Sequence, residues 1–184
     1  MKILFANLFV FLSVILSTSS VFASEKSLVI EESDFQQLSQ EMKKKKVGLV
    51  LMLHAEFCPY CELMDSDILS PMIKSSEYVD KVLIRKLQVD EARDIKDFTG
   101  KVVEPSDMAA KYGSFVTPTL VFLDSQGNER AKQMVGINTV EFFGAYLDAE
   151  IDKLQKKIVS DVKTDVAEKS TSMQQIQNKK NGSN

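Results

Sequence analysis

At 184 residues, with 44% apolar and 27% charged side chains, the chain can bury one sizeable core, and one globular domain is the default expectation. A formal net charge of −3 argues against a nucleic-acid partner, since the one basic run, Lys43 to Lys46, reads as the solvated end of a helix. Two cysteines and a single histidine cannot complete a four-ligand zinc site without carboxylates, so no metal and no other cofactor is expected.

The chain opens with Lys2, an apolar run from Ile3 to Leu16, the polar cluster Ser17-Thr18-Ser19-Ser20, and Val21-Phe22-Ala23 ahead of Ser24. A basic start, a short apolar middle and a small residue at the end form the layout of a secretory signal peptide over residues 1–23, cleaved after Ala23. The run falls short of the roughly 20 apolar residues a spanning helix needs. Export to the periplasm is the expectation, and disulfides persist there.

Ser33-Asp34-Phe35-Gln36 supplies a cap with Gln three residues on, and Phe35, Leu38 and Met42 share one face, which predicts an amphipathic helix over 34–45. Val47 to Leu53 is an unbroken apolar run that fits a strand buried on both faces. After the cysteines, Leu63, Met64, Ile68 and Leu69 keep helical spacing as far as Pro71, with Ile73 continuing beyond a kink. A second strand is expected over 81–89, its alternation broken at Arg85-Lys86. Residues 90–105 read as an irregular excursion. Ser106 or Asp107 caps a short helix ending at Tyr112-Gly113.

Phe115 to Leu123 is β-branched and aromatic and reads as a strand, with Pro118 near its start, a position where proline is tolerated. Asp124-Ser125-Gln126-Gly127 is a turn signal, and Glu129 to Val135 the return strand of a hairpin. Asn138 or Thr139 opens a last helix, with Val140, Phe143, Leu147, Ile151, Leu154 and Ile158 at spacings of three and four, ending near Ser160. The polar remainder is expected to be disordered. The organisation is thus a domain over 24–159 and a tail over 160–184. The element order is that of an α/β layer sandwich with one mixed sheet of about four strands, helices on both faces.

Both cysteines lie in Glu56-Phe57-Cys58-Pro59-Tyr60-Cys61, between the buried strand and the following helix. Cys58 at a helix N-terminus faces unpaired backbone N–H groups and the positive end of the dipole, and Pro59 suits the first helical turn. Such a setting lowers a thiol pKa from about 8.5 into a range of roughly 3.5 to 7.5, so Cys58 is the expected nucleophile. Cys61, one turn later, is placed to resolve a mixed disulfide. A bridge closing so short a loop stabilises a fold little, which favours chemistry over a structural role. His54 reads as a buried or rim residue rather than a catalyst, and Glu56 as either a proton shuttle or a solvated loop residue.

A Cys-x-x-Cys after a buried strand, followed by Thr117-Pro118 ahead of a strand and hairpin, resembles the thioredoxin fold. Ala55-Glu56-Phe57-Cys58 resembles thioredoxin's Ala-Glu-Trp-Cys. The longer pattern includes Asp67-Ile68-Leu69-Ser70, Ala110-Lys111-Tyr112-Gly113, Thr117-Pro118-Thr119 and Phe122-Leu123-Asp124, and is similar to exported thioredoxin-like proteins of the SoxW type. The resemblance implies that Pro118 is a cis-proline opposite the cysteine pair, and that the backbone beside it pairs with substrate peptide. Pro59, Tyr60, Thr117 and Pro118 are then the substrate-binding residues. Thr117 precedes the proline as in reducing and isomerising members, whereas DsbA-type oxidants more often carry Val.

Two positions depart from the pattern. Thioredoxin's buried Asp, which assists deprotonation of the second cysteine, aligns with Met52, leaving Glu56 or water for proton transfer. Pro59-Tyr60 replaces Gly-Pro and is the dipeptide of glutaredoxins. The function implied is a soluble, monomeric periplasmic thiol:disulfide oxidoreductase. It would reduce disulfides of exported proteins and be re-reduced by an inner-membrane electron carrier. The alternatives are a disulfide-donating oxidase of the DsbA kind, and a non-catalytic module that holds clients or bridges a [2Fe–2S] cluster through Cys58.

Overall fold

A computed structural model describes residues 27–181, so the proposed signal segment 1–23 lies outside the described residues. The elements are β1 (Ile30–Glu31), α1 (Phe35–Lys45), β2 (Gly48–His54), α2 (Pro59–Met64), a π-helical turn (Asp65–Leu69), α3 (Ser70–Lys74), β3 (Val82–Gln88), β4 (Ile95–Lys96), β5 (Val102–Val103), α4 (Pro105–Lys111), β6 (Thr119–Leu123), β7 (Met134–Val135) and α5 (Val140–Asn181). Five strands form the main sheet in the order β1-β3-β2-β6-β7, one more than expected, because the short segment at Ile30 adds an edge. β1, β3 and β2 run parallel to one another, and β6 pairs antiparallel with both β2 and β7.

β2 occupies the centre, and Leu49, Val50, Leu51, Met52 and Leu53 are all essentially inaccessible to solvent. That is the burial its unbroken apolar run demands when helices cover both faces. One core contains Leu49, Leu51 and Leu53 with Phe35, Leu38 and Met42 of α1 and Met108 of α4. The other joins Val50 and Met52 to Met64 and Leu69 below the cysteines and to Phe143, Leu147, Ile151 and Leu154 of α5. Gly48 admits α5, since a Cβ there would lie 2.5 Å from a Leu154 side-chain carbon.

Local chemistry explains where the elements start and stop. Asp34 caps α1 by accepting from the Gln37 N–H at 2.9 Å, one residue later than the Ser33 cap of the sequence pattern. Lys46 ends it in the left-handed region with φ 58°. The helix after the cysteines continues past Pro71 to Lys74. The Ser70 N–H reaches back to the Asp65 carbonyl in a wider π turn just ahead of the proline, which cannot continue the normal ladder. α4 begins at Pro105 with Glu104 at the cap position, two residues before Ser106 and three before Asp107, the expected caps.

Arg85 and Lys86, which break the alternation of β3, point to opposite sides. Arg85 lies 3.6 Å from carboxylate oxygens of both Glu32 and Glu41, and Lys86 lies 2.7 Å from Asp65 on the other face. The excursion over 90–105 contains the small β4–β5 hairpin, with Asp97 accepting from the Thr99 and Lys101 N–H groups. The return strand expected over Glu129 to Val135 shrinks to β7, preceded by a single bridge between Leu123 and Glu129.

α5 corrects the reading of the C-terminus. Instead of ending near Ser160 ahead of a disordered tail, the chain stays helical to Asn181. Phe143, Leu147, Ile151, Leu154 and Ile158 form its buried face. Beyond it there is no Gly or Pro before Gly182, and Lys, Gln, Glu and Ala sustain a helix by local propensity.

Candidate active site

The Cys58–Cys61 disulfide sits where β2 hands over to α2. Phe57 turns the chain with a left-handed backbone, φ 53°, uncommon for a bulky residue, and its ring is 88% exposed. Cys58 follows as the N-cap of α2 in extended conformation. Its Sγ accepts from the Cys61 N–H at 3.2 Å, and its carbonyl takes the Cys61 and Glu62 N–H groups at 2.9 and 3.1 Å. Pro59 fills the first helical position, where no donor is needed. A thiolate released at Cys58 would inherit the backbone donors and dipole of this helix start.

The two sulfurs differ in access. Cys58 is half-buried at the surface, while Cys61 is 4% exposed. Cys58 is thus the more accessible of the two to an incoming disulfide. Pro59 and Tyr60 lie exposed beside it.

Opposite the pair, the Thr117–Pro118 bond is cis, and the Thr117 hydroxyl lies 3.7 Å from Cys58 Sγ. The loop is pinned behind by Thr119 Oγ1 donating to the Val116 carbonyl at 2.7 Å, and by the Gly136 N–H donating to the Pro118 carbonyl at 2.8 Å. Phe115 and Val116 project into solvent ahead of it. Residues far apart in the chain thus form one wall against the disulfide.

Beneath the pair is a cavity of about 210 Å³ whose lining includes Met52, His54, Cys58, Cys61, Asp65 and Lys86. Met52 is fully buried there. Asp65, four residues after Cys61, takes Lys86 Nζ at 2.7 Å and the Ser27 hydroxyl at 2.6 Å on one oxygen, and the Ser70 hydroxyl at 2.9 Å on the other. Burial pushes its carboxyl up, but these hydrogen bonds and the Lys86 charge outweigh that and hold it below its usual range. Strand register puts Glu31, Lys86 and Met52 in one row and Gln88 and His54 in the next.

In that second row His54 Nε2 lies 2.8 Å from Glu31 Oε2, and Glu31 Oε1 accepts from the Gln88 N–H at 2.6 Å. Burial raises the Glu31 carboxyl, yet the His54 contact, the Gln88 N–H and Lys86 together leave it below its ordinary value. Glu56 is exposed at the rim, its N–H donating to both carboxylate oxygens of Asp90 at 3.1 Å. Asp65, Lys86 and Glu31 escaped the sequence reading. The available signals were the broken alternation at Lys86 and the one-turn spacing from Cys61 to Asp65. Among the described residues, no group of three or more His, Cys, Asp or Glu side chains is placed to hold a metal ion.

A Cys-x-x-Cys disulfide capping a helix after the central strand, faced by a cis-proline loop, defines a redox site of the thioredoxin type. The chain belongs to the family described as Thioredoxin-like domain, whose model matches residues 35–151. No curated protein matches it. Among solved structures it is similar to the thioredoxin Mala s 13 of Malassezia sympodialis, with 23% identity over 71% of this chain and 93% of that one, at a TM-score of 0.48. Mitochondrial thioredoxin 3 of Saccharomyces cerevisiae in oxidised form shares 21% over 67% and 93%, at 0.46. Fasciola hepatica thioredoxin shares 20% over 68% and 98%, at 0.47. Family membership and the cysteine pair support thiol oxidoreductase chemistry in general.

Proposed function

We propose that the protein is a periplasmic thiol:disulfide oxidoreductase that reduces disulfides of exported proteins through Cys58 and Cys61. The observation that carries this reading is the accessible Cys58 sulfur at a helix start, bonded to a buried Cys61 and faced by Thr117 and cis-Pro118. The Cys58 thiolate attacks one sulfur of a client disulfide, forming a mixed disulfide and expelling the other client sulfur as a thiolate. Cys61 then attacks Cys58, the intramolecular bond returns, and the second client sulfur leaves reduced.

The exposed Phe57, Tyr60, Phe115 and Val116 offer apolar contact to an extended client segment, and the backbone beside Pro118 offers strand-type pairing. Export rests on the signal-like segment 1–23, and re-reduction is assigned to an inner-membrane carrier. The similarity to SoxW-type exported proteins and the Thr at position 117 favour the reducing direction.

A Cys61→Ser variant expressed with its leader should accumulate mixed disulfides with exported proteins in the periplasmic fraction, seen as adducts that collapse on reduction. Absence of any adduct would sink the reading. The potential of the cysteine pair sets direction: a value near about −270 mV fits a reductase, and one near about −120 mV would turn the assignment to a disulfide donor.

A further inference from the structure

Cys61 has a proton to lose and little solvent to lose it to, being 4% exposed. In the exchange proposed above it must act as a thiolate, and a thiol at its ordinary pKa of about 8.5 is only a few per cent ionised at neutral pH. An acceptor must reach it from the cavity beneath. The titratable groups facing that space are His54 at the end of β2, Glu56 and Glu62 near the cysteines, Asp65 after α2 and Lys86 of β3, with Glu31 of β1 behind His54.

Most of these are poorly suited. Lys86 is an ammonium donor bound to Asp65, and Asp65 has both oxygens engaged by Ser70, Ser27 and Lys86. Glu56 and Glu62 are exposed to solvent. A carboxylate with an ordinary pKa of about 4 is also a weak acceptor for a thiol proton. Imidazole is the side chain matched to proton transfer near neutral pH.

His54 is held for that task. Its side chain is 14% exposed, and its Nε2 is engaged by Glu31, whose other oxygen is fixed by the Gln88 N–H of the neighbouring strand. With Nε2 carrying the hydrogen toward a carboxylate, Nδ1 keeps its lone pair; that tautomer is assigned from the hydrogen-bond network. A base oriented by a third group within reach of a nucleophile's cavity is the general arrangement that activates nucleophiles.

We infer that His54, oriented by Glu31, accepts the Cys61 proton in the resolving half of disulfide exchange, directly or through a water in the shared cavity. The inference rests on the exchange activity proposed above. The Cys61 S–H proton passes to His54 Nδ1, giving an imidazolium paired with the Glu31 carboxylate. The Cys61 thiolate attacks Cys58 Sγ, the Cys58–Cys61 bond forms, and the bond from Cys58 to the client sulfur breaks with its electron pair on that sulfur. The protein dithiol is thereby oxidised and the client disulfide reduced by two electrons. The imidazolium proton leaves to the departing thiolate or to solvent.

Ellman's reagent, an aromatic disulfide, separates the two halves. Reduced full-length protein should release one thionitrobenzoate as Cys58 attacks and a second as Cys61 resolves, each followed by stopped-flow absorbance across pH. In His54→Gln the first release should match wild type, while the second slows about 10²-fold at pH 7. Its rate should then climb steadily with pH as the thiol itself ionises, and so follow a pH profile different from wild type. Glu31→Gln should slow the second release by a smaller factor without touching the first, and it carries the test if His54→Gln does not fold. A second release with unchanged rate and pH profile in a folded His54→Gln protein, or failing that in Glu31→Gln, overturns the relay alone. A wild-type protein that releases no thionitrobenzoate overturns the exchange reading and the relay with it.

Discussion

Replacing Asp65 by Asn preserves shape and removes one charge from the floor of the cysteine cavity. The wild-type carboxylate accepts from Lys86, Ser27 and Ser70 and so ties the N-terminal segment, β3 and the helix below the cysteines to one point. Breaking a fully buried ion pair from one side costs about 3 to 5 kcal/mol. Here the side chains of Lys86 and Asp65 keep 18% and 10% exposure, so water recovers part of the loss, and Asn retains some hydrogen bonding. A cost of about 2 kcal/mol results. With a urea m-value of about 2 kcal/mol/M, the unfolding midpoint should fall by about 1 M with m unchanged.

The pH dependence gives the sharper check. Asp65 has a folded-state pKa below its unfolded one, so its stabilisation is complete above the unfolded value of about 3.9 and disappears as pH falls through the depressed folded value. Wild type and Asp65→Asn should therefore differ fully at pH 6 to 7 and converge in strong acid. Urea titrations of both proteins in the oxidised state, repeated across that range, measure this directly. A variant within about 0.5 kcal/mol of wild type at neutral pH, or a gap that does not narrow in acid, refutes the account of Asp65 as an ionised anchor.

Other substitutions probe the remaining contacts. Gly48→Ala places a methyl 2.5 Å from Leu154 and should destabilise by about 1 to 3 kcal/mol through overpacking; adding Leu154→Val should recover part of the loss in the same denaturation assay. Thr117→Val removes the hydroxyl 3.7 Å from Cys58 Sγ, and a thiolate that loses a donor is less favoured, so the Cys58 pKa read from alkylation rate against pH should rise. An unchanged alkylation profile would show that this hydroxyl does not serve the thiolate.

Much of the architecture was legible in the chain because it follows from local patterns. The apolar run at Val47 to Leu53 fits a doubly covered strand, and the spacing from Phe143 to Ile158 fits a helix packed along one face. Cys58-Pro59-Tyr60-Cys61 declared its chemistry because a cysteine pair one turn apart, led by proline, is meaningful without any tertiary context. Boundaries were less visible where a wider helical turn absorbs Pro71, and where α5 runs on to Asn181 without a local stop signal.

The surroundings of the cysteines were decided only by tertiary structure, because they come from four separate stretches of chain. Nothing local marks Glu31 as the partner of His54 or Lys86 as the partner of Asp65; parallel register aligns the first pair's strands, and a helix laid across the sheet brings in the second. The sequence by itself determined the core, the redox pair and its place at the end of the central strand. Only the folded sheet decided which charges stand beneath the buried sulfur, since that depends on how strands distant in sequence are aligned.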